Sequence, residues 1–225
     1  FCTVHSVYGE ISAFKWRARN PVKTVDEIET LIKIGAEYIT FVDDCFLVDI
    51  QRARKIAEEI LSRNLDIRYC IEARSDLIIK AKDILPLLKK SGCLKSDIGV
   101  ESGSRKVLER YNKGTTPEEN AMAISLLRRL DIEVGLGWIM FDAETTLEEL
   151  KDSLRFIEEN DLMHYSRVFG TWLFPIPGSQ IVNKYITEKR LTYNEICNPK
   201  DEYSYKIEDS RVRFVYTTFL AFILQ

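Results

Sequence analysis

Several short stretches of this chain carry residue types that can do chemistry, and most of them sit just past an apolar run. Cys2 follows Phe1 at the head of a basic loop ending in Trp16-Arg17-Ala18-Arg19. In that setting it reads as the last member of a metal-binding motif whose other members precede Phe1. Asp43-Asp44 leaves the apolar run 38–42. Two adjacent carboxylates there are costly unless exposed, paired or bound to a cation, so they either cap a turn or receive an ammonium group or a metal. Arg74 follows the run 67–71 and either pairs with Glu72 or Asp76 or grips a carboxylate with both prongs of its guanidinium. Glu101-Ser102-Gly103-Ser104 follows the run 98–100. Here Gly103 permits close backbone approach, Ser102 or Ser104 can cap a helix near Arg105, and Glu101 can accept from a ribose diol. A plain strand-to-helix turn is the bland alternative.

The elements that must position these residues alternate. Thr24 and Glu27 predict a capping box for a helix closed by Gly35. A strand over 38–42 and a helix over 49–64 follow, then a strand over 67–71 and a helix over 80–90 ending at Gly92. After the strand 98–100, Thr116-Pro117-Glu118-Glu119 starts a helix running to about Leu130. The strand 133–141 leads to Asp142, and Thr146 with Glu149 caps the next helix. A strand over 167–174 leads to Pro175-Ile176-Pro177-Gly178 and a last helix. This is β-α repeated with short connections, the signature of a parallel sheet. Charged groups recur at strand C-termini (Asp43, Asp44, Arg74, Glu101, Asp142), the edge where parallel α/β folds build sites. No dinucleotide-type glycine loop follows the first strand, which favours a partial barrel over a doubly wound sheet. The pattern opens on a loop and a helix, so its first strand is expected upstream of Cys2, and both ends read as cut.

The chain has 225 residues, 45% hydrophobic and 30% charged, with a net charge of -3. That is an ordinary globular composition, and it gives no electrostatic reason to expect nucleic acid or a membrane surface as partner. Five cysteines, at 2, 45, 70, 93 and 197, form no disulfide framework and suit a reducing, cytoplasmic setting. Cys45 and Cys70 read as core or strand-edge residues, and Cys93 and Cys197 lack ligand spacing. His5 lies in the loop after Cys2, and His164 reads as structural. The longest apolar stretch, 214–224, is short for a membrane span.

Taken in order, these residues resemble the radical S-adenosylmethionine (radical SAM) superfamily, most closely the branch often fused to a cobalamin-binding domain. Phe1-Cys2 resembles the aromatic residue and last cysteine of that family's Cys-x3-Cys-x2-Cys motif, and Tyr8-Gly9 the loop after it. Phe41 to Phe46 resembles the segment that holds the methionine amino group, and Arg74 the third-strand arginine. Gly99-Val-Glu101-Ser102-Gly-Ser104, then Asn112-Lys113-Gly114-Thr115-Thr116, resemble the ribose-contacting fourth strand and its helix. Gly137-Trp138-Ile139-Met-Phe-Asp142 resembles the fifth strand beside the adenine, and Pro177-Gly178-Ser179 the sixth-strand exit. Two departures stand out. The other two cluster cysteines are absent, and Phe-Asp-Ala-Glu-Thr replaces the frequent Gly-x-Pro-Gly-Glu-Thr.

The resemblance implies an α/β fold: a partial TIM-type (β/α)6 barrel of parallel strands lacking its first strand over residues 1–190, with a C-terminal α-helical extension over 191–225. It implies an enzyme that uses a 4Fe–4S cluster to cleave S-adenosylmethionine, giving a 5′-deoxyadenosyl radical for hydrogen abstraction or cobalamin-linked methyl transfer. Cys2 would be a metal ligand. Asp43, Asp44, Arg74, Glu101, Ser102, Trp138 and Ile139 would bind S-adenosylmethionine. Cobalamin would arrive on a domain outside this chain, electrons from a donor such as flavodoxin or ferredoxin, and the substrate would be a small or lipid-like molecule. Read without the resemblance, the same carboxylates allow a divalent-metal lyase or aldolase, or a barrel fragment that only binds a partner.

Overall fold

The computed structural model describes residues 17–176, 178–191 and 205–223. Its first helix, α1 (Pro21–Lys33), starts earlier than the Thr24 capping box predicts. Asn20 accepts from the Val22 and Lys23 N–H groups, and Pro21 fills the first helical position, where a missing donor costs nothing. The Thr24 hydroxyl donates instead to the Asn20 carbonyl. β1 (Tyr38–Thr40) is brief, though the Phe41 N–H still bonds the Cys70 carbonyl. A 3₁₀ turn (Phe46–Val48) leads to α2 (Ile50–Ser62), capped by Asp49. After β2 (Arg68–Ala73) come two short helices, α3 (Ser75–Lys80) and α4 (Leu85–Lys90), in place of one over 80–90. Pro86 at the start of α4 has no N–H to continue the ladder from α3, so the helix restarts there.

β3 (Cys93–Glu101) is much longer than 98–100, and α5 (Arg105–Arg110) follows it. α6 (Pro117–Arg129) and α7 (Leu147–Glu159) both carry the expected reciprocal capping boxes, Thr116 with Glu119 and Thr146 with Glu149. β4 (Glu133–Trp138) lies between them. The strand expected over 167–174 does not form. A 3₁₀ helix (Ser166–Gly170) takes its first half, and Trp172 makes one isolated parallel bridge to Phe141. The Trp172 ring packs edge-on against Tyr205 and Tyr216, so aromatic burial rather than a ladder decides this segment. α8 (Gln180–Thr187) and α9 (Ser210–Ile223) complete the described chain.

Among the described residues the strands form one parallel sheet in the order β1-β2-β3-β4. Thr40 pairs with Cys70, Cys70 with Lys95, and Glu72 with Asp97. The order advances one way without a switch point, as in a sector of a barrel rather than a doubly wound sheet. Two compact units divide the chain. One comprises Ala18–Val100 with Thr115–Gly137, and the other Phe1–Arg17, Glu101–Gly114 and Trp138–Gln225. In the first, Tyr69, Ile71 and Ile98 are buried together with Ile56, Ile60, Leu88 and Leu127. In the second, Val107, Tyr111, Ile139, Leu173, Val182 and Tyr185 form one apolar cluster. No helix of the described residues is long and apolar enough to cross a membrane.

Gly92 links α4 to β3 with φ +108°, and a Cβ there would meet the Ile67 carbonyl oxygen at 1.9 Å. Gly35 has a similar φ of +101° but nothing within 4 Å. Gly35→Ala should therefore cost only the backbone term, about 1–2 kcal/mol. Gly92→Ala should lose at least about twice that in urea unfolding, because backbone must move as well. Equal losses would show that the Ile67 contact is unimportant.

Candidate functional site

Three of the expected site residues belong to the first unit. The Asp43-Asp44 pair divides at once. Asp43 is half-buried and accepts from Arg52 Nη1 at 3.4 Å, while Asp44 is exposed. Arg52 is itself buried. Its Nε donates to the Arg19 carbonyl at 3.1 Å and its guanidinium lies 5.9 Å from the centre of the Phe46 ring. A cation in the first turn of α2 opposes the helix dipole, so its position was a readable sign that Arg52 serves a partner outside the helix. Arg74 caps α3, and its Nε donates to Asp76 at 2.9 Å, the local pairing weighed above for this residue.

The inner edges of β2 and β3 add groups that sequence reasoning passed over. Cys70 Sγ donates to Asp97 Oδ2 at 3.4 Å, and Lys95 Nζ lies 2.9 Å from Asp97 Oδ1. A Cβ on Gly135 would fall 1.6 Å from that same Oδ1, so the glycine makes room for the carboxylate. Glu72 has its carboxyl pushed up, first by burial and then by the negative charges of Asp97 and Asp44. Burial also pushes up the Cys70 thiol, and raises that of Cys93 to about 12. Neither is a ready thiolate, as expected of core cysteines.

The remaining expected residues belong to the second unit, which gathers them closely. Glu101 has φ +64°, the left-handed region that a non-glycine residue enters only under constraint. Its carbonyl accepts from the Ile139 N–H at 2.7 Å, and its Oε1 accepts from Lys113 Nζ at 2.8 Å. Both side chains of that pair are nearly buried, at 12% and 9% exposure. Lys113 follows α5 between Asn112 and Gly114, both at positive φ, so the chain turns back on itself to deliver the ammonium group. In the sequence Lys113 stands out only through the family resemblance, and nothing local shows where the lysine would point.

The turn after Glu101 is packed rather than open. The Ser102 hydroxyl is buried, contacts Ser153 Oγ at 3.1 Å and accepts from the Ser104 N–H at 3.1 Å. The Ser104 hydroxyl donates to Asp152 at 3.3 Å, so neither serine hydroxyl caps α5, contrary to expectation. A Cβ on Gly103 would meet Phe156 Cβ at 2.3 Å, which explains how closely α7 sits on this turn. Trp138 packs its ring against Phe156 at 5.9 Å, and its Nε1 is buried without a hydrogen bond among the described residues. Its neighbour Ile139 contributes its backbone N–H to the Glu101 carbonyl.

Asp142 is wholly buried and organises the exit from β4. Its Oδ2 accepts from Arg110 Nε and Nη2 at 3.2 and 3.0 Å and from the Tyr111 hydroxyl at 2.7 Å. Its Oδ1 accepts from the Glu144 N–H and the Thr145 hydroxyl. Arg110 also bonds Glu149 at 2.7 Å. The Phe-Asp-Ala-Glu-Thr departure is thus a self-closing turn anchored by a half-buried arginine. Phe1, Cys2, His5, Tyr8, Gly9, Pro177 and Cys197 lie outside the described residues. Among the described residues no three of His, Cys, Asp and Glu are grouped to hold a metal, and Cys45, Cys70 and Cys93 are free thiols.

Comparison with known proteins supplies a family. Residues 1–157 match the radical SAM superfamily. The chain is 31% identical over 170 residues to 4′-phospho-dehydrooxetanocin synthase of Priestia megaterium, 66% of this chain and 23% of that protein. It is 29% identical over 163 residues to the anaerobic magnesium-protoporphyrin IX monomethyl ester cyclase of Rubrivivax gelatinosus, 71% of this chain and 29% of that protein. Among solved structures, the cobalamin-dependent S-adenosylmethionine radical enzyme OxsB with aqua-cobalamin and S-adenosylmethionine bound superposes with a TM-score of 0.73 at 22% identity, over 93% of this chain and 37% of that one. The radical S-adenosylmethionine methyltransferase TsrM of Kitasatospora setae gives 0.56 at 20% identity, over 64% and 29%. The chain spans about a quarter to two fifths of the length of the first curated relatives it matches.

Asp142→Ala would take a fully buried carboxylate from the Tyr111 hydroxyl and leave the Arg110 guanidinium to its Glu149 and Glu144 contacts. It should cost about 3–5 kcal/mol in urea unfolding, whereas Asp44→Ala, at an exposed carboxylate, should stay within about 0.5 kcal/mol. A loss below about 1 kcal/mol for Asp142→Ala would mean that solvent reaches the network.

Proposed function

Since this chain belongs to the radical SAM superfamily, we propose that it is the core of a radical SAM enzyme that binds S-adenosylmethionine through its strand-end residues. The observation that carries the reading is Glu101. It is a carboxylate in a strained backbone conformation, tied by its carbonyl to Ile139 and by its Oε1 to Lys113. Strain of this kind costs about 1–3 kcal/mol and persists where the surroundings hold it for a purpose. Among the described residues Oε2 has no protein partner, so it can accept from a ribose hydroxyl. The 138–139 backbone would flank the adenine; Ser102 would contribute its backbone rather than its hydroxyl, which is already used. By the family resemblance, Asp43 and Asp44 would receive the methionine ammonium group, and Arg74 its carboxylate.

Cys2 would be one thiolate of the 4Fe–4S cluster, with the remaining ligands outside the described residues. When bound, the cluster and S-adenosylmethionine supply a one-electron cleavage that yields a 5′-deoxyadenosyl radical for hydrogen abstraction or cobalamin-linked methyl transfer. This chain's own residues orient the nucleoside and keep water from it. A cobalamin domain elsewhere in the protein, an electron donor such as flavodoxin or ferredoxin, a small or lipid-like substrate and a cytoplasmic setting belong to the same proposal. A divalent-metal lyase finds less support. Among the described residues no three of His, Cys, Asp and Glu stand together as the ligands of such a metal would.

The test is anaerobic reconstitution of the full-length protein with iron and sulfide. We expect a visible thiolate-to-iron charge-transfer band that Cys2→Ala diminishes, and 5′-deoxyadenosine after reduction with S-adenosylmethionine present. Glu101→Gln should weaken S-adenosylmethionine binding by about threefold or more, because a neutral acceptor replaces a charged one at the ribose. A reconstituted protein that has the band yet neither binds nor cleaves S-adenosylmethionine would overturn the proposal.

A further inference from the structure

Lys113 has no assigned role in the reading above, yet it is the described side chain that holds the proposed ribose acceptor. Its ammonium group lies 2.8 Å from Glu101 Oε1, and the pair is almost wholly screened from solvent, with side-chain exposures of 9% and 12%. Isolated exposed ion pairs contribute little, but a desolvated pair with good geometry fixes direction strongly. Two further features show that the arrangement is built. Glu101 and Asn112 both adopt left-handed backbone conformations, at φ +64° and +49°, and Gly114 does so at +69°. The Lys113 N–H bonds the Leu108 carbonyl at 2.9 Å, closing the last turn of α5, so the helix end delivers the lysine back to the residue that precedes the helix. The loop from Glu101 to Gly114 is thus a closed circuit with the ion pair as its clasp.

We propose that Lys113 is the positioning residue for nucleoside recognition. By taking Oε1 it fixes the rotation of the Glu101 carboxylate and presents Oε2 to the ribose hydroxyls. This rests on the assignment of Glu101 to S-adenosylmethionine and extends it to a residue that does not itself touch the ligand. An unclasped glutamate would keep its charge but wander among rotamers, so the loss falls on discrimination between ribose and deoxyribose more than on overall affinity. A glutamate that must be ordered on binding gives up part of the energy of each hydrogen bond it makes.

The experiment is calorimetry on the full-length protein, using S-adenosylhomocysteine and its 2′-deoxyribose analogue as probes, so that no turnover is needed. The wild-type protein should prefer the ribose form by about tenfold, one hydrogen bond to a charged group. Glu101→Gln should cut that preference to about threefold or less, because a neutral acceptor holds the diol more weakly. Lys113→Met should cut it similarly, with binding of the deoxy analogue changed less than about twofold. Lys113→Arg, which keeps a cation at the clasp, should restore most of the preference. If Glu101→Gln leaves the preference intact, the ribose assignment of Glu101 fails, and the role of Lys113 fails with it. If Glu101→Gln removes the preference but Lys113→Met keeps it, Glu101 stands and the positioning role is overturned. An equal loss of affinity for both probes in Lys113→Met would mark a merely structural lysine and also overturn it. A gain in preference would make Lys113 a competitor for the carboxylate rather than its guide. Lys113→Gln, an uncharged variant with a polar end, replaces the methionine variant should that one not fold.

Discussion

Everything in the sheet-bearing unit depends on the sheet burying one of its faces far more fully than the other. Along β2, Tyr69, Ile71 and Ala73 are buried, whereas on the opposite face Arg68 and Glu72 are exposed and only Cys70 between them is buried. Along β3, Ser96, Ile98 and Val100 are buried, and Lys95, Asp97 and Gly99 on the other side are partly exposed. Removing the first set from water, at about 25 cal/mol per Å² of apolar surface, draws the helices to that side. The second set carries too much charge to be closed over. A complete barrel fills its interior with layers of branched apolar side chains. This inner wall instead carries Cys70, Asp97 and Lys95 in hydrogen-bond contact, and Gly135 leaves space for the carboxylate. A one-sided sheet has to end its strands with residues that tolerate water, which puts the chemistry at the strand ends.

Glu101 shows what such a strand end costs and how the cost is offset. A left-handed glutamate is disfavoured by about 1–2 kcal/mol relative to ordinary backbone. In return the chain turns sharply enough for Gly103 to sit against Phe156, a contact that any side chain on residue 103 would prevent. The hydrogen bond from Ile139 to the Glu101 carbonyl joins the end of β3 to the residue after β4, so two strand exits share one anchor. Asp142 does for the turn after β4 what Lys113 does for the turn after β3. Each unites a buried charge with a partner brought from a neighbouring helix or its end. The Asp142 pairing also explains the Phe-Asp-Ala-Glu-Thr sequence, which needs no proline to hold its shape because Arg110, Tyr111 and Thr145 hold the carboxylate.

What the sequence made legible was local, and what it hid was long-range. The capping boxes at Thr116 and Thr146 are read from four residues each, and both form. The same pattern at Thr24 misled because Asn20-Pro21, a stronger start, lies just upstream and turns Thr24 into an interior residue. The run 167–174 has the composition of a strand, but among the described residues its long-range backbone bonds join only 171–173 to 140–141, and its partly buried tryptophan packs against Tyr205 and Tyr216. At the site, the strand-end carboxylates were identifiable by type and place. Their partners were not, since Lys113 lies 12 residues from Glu101 and Arg110 lies 32 from Asp142, distances that only the folded chain closes.

The Asp43-Asp44 pair separates two jobs that the sequence runs together. Arg52 is desolvated and cannot be left without an anion, so it holds Asp43 with a hydrogen bond that a ligand could displace only by stranding a buried guanidinium. Asp43 thereby has a structural partner in Arg52, and its neighbour Asp44 is the exposed member. Asp44 also adds to the negative potential that, together with Asp97, raises the Glu72 carboxyl. Like charges that raise one another in this way are relieved by an incoming cation and not by an anion. In the proposed ammonium site Asp44 is therefore the more accessible carboxylate, with Arg52 holding Asp43 beside it and Asp97 and Glu72 adding to the negative field.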